Sequence, residues 1–192
     1  MRQTLIATVE NKPGVLNRVS SLFRRRNFNI DSLNVGRTEN PAVSRMTIVV
    51  DSRDTEARMV EANLYKLVNV IDVQDVTNQK AVLRELALIK VEAAPAARGE
   101  ILSLANIFEA SVVDVGADTL VVQIVAGEDR VNSLVELLRP CGILEIVRTG
   151  HVAMMRGRAD GVRHTPGAGP GINGHALEAA NGDQPPISPE RS

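Results

Sequence analysis

The sequence predicts an α+β protein of two ferredoxin-like βαββαβ units followed by a disordered tail. Three observations carry that expectation. Apolar strand patterns and helical stripes alternate as β-α-β-β-α-β, and the same order then returns. The 192 residues, 44% hydrophobic, suffice for one ordinary domain or two small ones. Apolar periodicity stops after Arg156. The expected divisions are therefore 1–78, 79–156 and a tail over 157–192.

The first unit opens on a buried strand over residues 4–9 (Leu5, Ile6, Ala7, Thr8, Val9). Asn11-Lys12-Pro13-Gly14 then leads into an amphipathic helix carrying Val15, Leu16, Val19, Leu22 and Phe23. Pro13 suits a first helical turn, because its φ is preset and its missing N–H would be unpaired there. The helix should end near Arg24-Arg25-Arg26-Asn27, where positive charge favours the dipole. Asn29 to Gly36 alternates like a half-buried strand, Thr38-Glu39-Asn40-Pro41 reads as a loop, and Met46 to Val50 is a β-branched strand. Asp54 can cap a helix bearing Ala57, Val60, Leu64 and Leu67, and Val68 to Val76 supplies the last strand.

In the second unit Leu86 to Val91 is a strand, and Ile101, Leu104, Ala105 and Phe108 follow at helical spacing. Val112 to Val115, the turn Gly116-Ala117-Asp118 and Leu120 to Val125 form a hairpin. Val131, Leu134, Val135 and Leu138 make a second helical stripe, and Ile143 to Val147 closes the unit. Such small units leave an open sheet face and open edges, so pairing with each other or with a second chain is expected.

Composition narrows the function. A net charge of -1 and 2% aromatics lack the basic footprint and stacking platforms of nucleic-acid binders. No apolar run is long enough to span a membrane, and Met1 to Leu5 lacks a signal-peptide core. The single cysteine, Cys141, permits no intrachain disulfide, so a cytoplasmic protein is expected. Cys141 follows Pro140 and reads as structural rather than nucleophilic. His151, His164 and His175 are scattered without metal-ligand spacing, and no nucleophile elbow or phosphate loop occurs. Gly169 to Gly174 matches G-x-G-x-x-G but lacks the strand before it and the helix after it. No set of residues supports catalysis.

A binding site for a free amino acid fits better. Taken alone, Pro13-Gly14 is an ordinary corner. Yet Gly14 allows close approach to the backbone, and the N–H groups of Gly14, Val15 and Leu16 can hold a carboxylate at the helix start. Asn11 and Asn29 offer amide oxygens to an ammonium group and N–H₂ groups to the carboxylate. Ile30, Val35 and Leu16 can form an apolar pocket, and Asn29 can meet Asn11 of a second chain.

Asn11-Lys12-Pro13-Gly14-Val15-Leu16 followed by Arg18-Val19 resembles the ligand turn of ACT domains, small-molecule regulatory modules of amino-acid metabolism. Asn27 to Val35, Ser44 to Ile48, Tyr65 to Val70 and Arg84 to Val91 resemble the small, regulatory subunits of acetohydroxyacid (acetolactate) synthase, over residues 1–156. The resemblance implies that the first unit is an ACT domain and that the chain is a non-catalytic homodimer. It implies a large catalytic partner carrying thiamine diphosphate, Mg and FAD, with none of these on this chain. It also implies activation of that partner and feedback inhibition by branched-chain amino acids, chiefly valine, in valine and isoleucine biosynthesis. The matching valine positions are Asn11, Gly14, Val15 and Leu16 on one chain, with Asn29 and Ile30 on the other. Gly36 departs from that pattern, since relatives often carry a small side chain there. The second unit's corresponding corner, Ala94-Pro95-Ala96-Ala97-Arg98-Gly99, has no Asn and is expected to serve dimer and subunit contacts instead. The alternative is a freestanding ACT-domain sensor acting on another enzyme or regulator.

Overall fold

Two sheets of matching strand order, each with two helices, organise the described residues. The computed structural model describes residues 2–51 and 54–157, without the side chains of residues 54–58. The expected tail, with His164, His175 and the glycine motif, lies outside the described residues. The first sheet comprises β1 (Arg2–Glu10), β2 (Asn29–Arg37), β3 (Val43–Asp51) and β4 (Val70–Asp75), in the order β2-β3-β1-β4. Helices α1 (Val15–Arg25) and α2 (Asp54–Leu64) accompany it. The second sheet comprises β5 (Ala81–Glu92), β6 (Ser111–Val115), β7 (Thr119–Ala126) and β8 (Ile143–Arg148), in the matching order β6-β7-β5-β8. Its helices are α3 (Arg98–Ile107) and α4 (Glu128–Leu138). All pairings are antiparallel. The class is therefore α+β, with ferredoxin-like βαββαβ order in both halves.

Strand alternation places each core. Leu5, Ala7 and Val9 of β1 and Met46, Ile48 and Val50 of β3 meet Val15, Val19, Leu22 and Phe23 of α1. Ala87, Ile89 and Val91 of β5 and Leu120, Val122 and Ile124 of β7 meet Val131, Leu134 and Leu138 of α4. Period 2 on the strands and 3.6 on the helices produces these faces directly. Phe23 is fully buried, and its ring meets that of Phe28 edge-on at 6.1 Å.

The open face expected of the first sheet is in fact partly covered. A further strand, β9 (Val152–Met155), pairs with the first residues of β5, from Ala81↔Met155 to Arg84↔Val152. Ala153 is buried with Ile6 and Val76 on the sheet face away from α1. Its N–H donates to Thr47 Oγ1 at 3.3 Å, and its carbonyl accepts from Arg45 Nη2 at 3.0 Å. Four residues are too few for the alternation to stand out, and β5 begins earlier than the sequence indicates for the same reason. The two sheets thus belong to one compact unit.

Gly150 makes this return possible. Its φ is +76°, and a Cβ there would lie 2.5 Å from Ser32 Cβ. Left-handed strain and overpacking against a short side chain together predict that Gly150→Ala costs about 2–4 kcal/mol. For a chain of this size that lowers Tm by roughly 5–15 °C, measurable by thermal unfolding. An unchanged Tm would show that this turn is not packed against β2.

Candidate functional site: the turn before the first helix

The turn Lys12-Pro13-Gly14-Val15 differs from expectation in one respect. Gly14 adopts φ 83° and ψ -5°, and the Val15 N–H donates to Lys12 O at 3.4 Å. These are the features of a type II turn with proline second and glycine third. Pro13 therefore lies before α1, which starts at Val15, rather than within its first turn. The geometry favours glycine, because a Cβ in the left-handed region is strained.

The donors shift accordingly. Val15 is buried and its N–H is engaged by the turn, so it does not offer the free donor expected of it. Arg18 N–H makes the first helical bond, to Gly14 O at 3.0 Å. Leu16 and Asn17, between them, have N–H groups with no acceptor among the described residues. Asn17 was not legible from residue type, because the offset comes from the turn. No acidic residue occupies the first turn of α1, so the positive end of its dipole is not neutralised locally. A Cβ on Gly14 would meet nothing within 4 Å, and the same holds at Gly36.

Asn11 is held from two sides. Its N–H donates to Ala42 O at 2.7 Å and its Nδ2 to Pro41 O at 2.9 Å, fastening the turn to the β2–β3 loop. The amide donor expected to meet a carboxylate is thus already in use, while Oδ1 remains as an acceptor. A second set of contacts braces the turn from behind. Glu10 N–H donates to Asn69 O at 2.9 Å, Asn69 Nδ2 donates to Glu10 Oε2 at 2.5 Å, and Arg18 Nη1 donates to Asn69 Oδ1. Donation from Asn69, then from Lys12, holds the Glu10 carboxyl below its usual range. Leu16 and Val35 are partly exposed apolar side chains, at 44% and 43%.

Asn29 and Ile30 do not join Asn11 within one chain. Asn29 pairs with Asp51, which pairs with Arg2, so it lies at the start of β1. Asn11 follows Glu10 at the other end, roughly 30 Å along the strand. β2 is an edge strand, and no described strand occupies its outer side.

The second unit's corner is built differently. Ala97, before α3, has φ -86° and ψ -16°, with no left-handed residue. Arg98 fills the corner with its own cation: Nε donates to Ala93 O at 3.1 Å, and Nη2 to Gly116 O at 2.8 Å and to Ala117 O. Burial raises the Cys141 thiol above its usual range, helped by Glu100, which disfavours the reactive thiolate.

Residues 84–157 match the family described as the small subunit of acetolactate synthase, and residues 5–72 match the AHAS small subunit-like ACT domain. A probable acetolactate synthase small subunit of Archaeoglobus fulgidus is 50% identical over 157 residues, 82% of this chain and 98% of its own length. The chain belongs to the acetolactate synthase small-subunit family. Its similarity to the Bacillus subtilis small subunit is 46% over 158 residues, covering 82% of this chain and 92% of that one. The crystal structure of the Thermotoga maritima small subunit superposes with a TM-score of 0.75 at 37% identity, covering 81% of this small subunit and 98% of that chain. The ACT match contains the whole Asn11–Leu16 turn and both Asn29 and Ile30. No helix among the described residues is long and apolar enough to cross a membrane.

Proposed function

We propose that this regulatory subunit activates a large catalytic subunit of acetolactate synthase in the cytoplasm and confers feedback inhibition by valine. The chain itself performs no catalysis. Thiamine diphosphate, Mg and FAD belong to the partner, which condenses pyruvate with a second 2-oxo acid. The observation that carries the effector reading is the pair of open N–H groups at Leu16 and Asn17 beside the exposed Asn11 Oδ1. A carboxylate fits the donors and an ammonium fits the acceptor. Gly14 keeps the approach clear, and Leu16 offers apolar surface to a branched side chain.

The site is completed by a homodimer. A two-fold axis near Leu33, the middle of β2, would pair two copies of this edge antiparallel. The partner's Asn29 and the partner's Ile30 would then lie opposite Arg37 and Gly36, at the end where Asn11 lies. Nine residues of free edge favour this arrangement over a monomer. The second unit, whose corner is filled by Arg98, is left for subunit contacts.

Reconstitution tests the reading. Adding this chain to the catalytic subunit should raise acetolactate formation, and valine should reverse the gain. No gain on addition would remove the activating role, and a gain insensitive to valine would remove the effector role.

A further inference from the structure

Asn29 is connected to the second unit by side chains. Its Nδ2 donates to Asp31 Oδ1 at 3.0 Å. Asp31 Oδ2 accepts from Arg2 Nε at 3.1 Å. Arg2 Nη1 donates to both oxygens of Glu128 at 2.6 Å. Glu128 is the first residue of α4, and its Oε2 is 3.3 Å from His151 Nε2. Arg2, Asp31, Glu128 and His151 line a cleft of about 360 Å³ between the start of β1, the start of β2 and the Thr149–His151 turn.

We infer that Arg2 is a positioning residue that couples the effector strand to α4, through the contact chain Asn29–Asp31–Arg2–Glu128. This rests on the reading of Asn29 as an effector contact. Exposure argues against a role in stability alone: the side chains of Arg2, Asp31 and Glu128 are 47%, 26% and 29% exposed, and ion pairs so placed stabilise a fold little. Their arrangement is informative for another reason. One guanidinium divides its donors between a carboxylate of the first unit and a carboxylate of the second. Turning the Asn29 amide toward a bound carboxylate takes its N–H away from Asp31. Asp31 then accepts more strongly from Arg2, and Arg2 holds Glu128 less firmly at the N-terminus of α4. An effector can shift the second unit only through such a difference between its two states.

The test separates binding from inhibition. Valine binding to the full-length small subunit is measured by calorimetry, and activation and valine inhibition in the reconstituted holoenzyme. Arg2→Gln and Glu128→Gln should each bind valine within about twofold of wild type and activate normally. Each should raise the valine concentration for half-inhibition about fivefold or more. Arg2→Lys should recover part of the loss, and the double variant should lose no more than either single one. Wild-type inhibition by Arg2→Gln overturns the coupling, as does a parallel loss of binding and inhibition. Asn29→Ala distinguishes the two levels. If it loses valine binding while Arg2→Gln keeps wild-type inhibition, the effector site stands and the coupling falls. If it leaves binding unchanged, the effector reading fails and the coupling fails with it.

Discussion

Gly14→Asp is expected to abolish valine inhibition while leaving activation of the catalytic subunit in place. Two open N–H groups of α1 lie just beyond Gly14. An Asp side chain there would satisfy them internally and repel the incoming carboxylate. Losing two charge-assisted hydrogen bonds costs about 3 kcal/mol or more, so valine affinity should fall at least about 100-fold. The fold should survive. The φ of +83° makes any side chain strained by about 1–2 kcal/mol, but Asp tolerates this region better than most residues. The added Cβ enters open space. Gly14→Ala is the matched control, carrying at least as much strain without the charge, and should lose less than about tenfold. Valine titration of reconstituted holoenzyme, with unfolding curves for each variant, checks both statements. Equal valine sensitivity in Gly14→Asp and wild type would place the effector elsewhere. Loss of activation in a folded Gly14→Asp protein would mean that the two functions share a surface.

Much of this was legible in the sequence because the governing signals are local. Val15, Val19, Leu22 and Phe23 announce one buried helix face, and β1 and β3 are apolar enough to be read without their neighbours. The repeated element order follows from the same patterning and yields the same strand order in both sheets. Three features were not legible. Strand β9 is short, and its inward residue is an alanine, so its burial depends on Ile6 and Val76 far away in sequence. The turn type at Gly14 moves the open donors from Val15 to Leu16 and Asn17, and Pro-Gly alone fits either a helix start or a type II turn. The filled corner of the second unit depends on Arg98 reaching carbonyls near residue 116, a contact with no pattern in the sequence.

The central claim is that one effector site is made from two chains, and mixed dimers test it most directly. Asn11→Ala and Asn29→Ala homodimers should each lose valine binding, since every site in them lacks one side chain. Unfolding and reassembling the two together yields dimers carrying one substitution on each chain. Two-fold symmetry places both substitutions in one site and leaves the other intact. With random reassortment about half the dimers are mixed, so the sample should regain about a quarter of the wild-type sites. Calorimetric titration of the remixed protein with valine counts them. Recovery of that fraction at near wild-type affinity is the result expected here; remixed protein that binds no more valine than its parents, with exchange of chains verified, would contradict a site shared across the dimer.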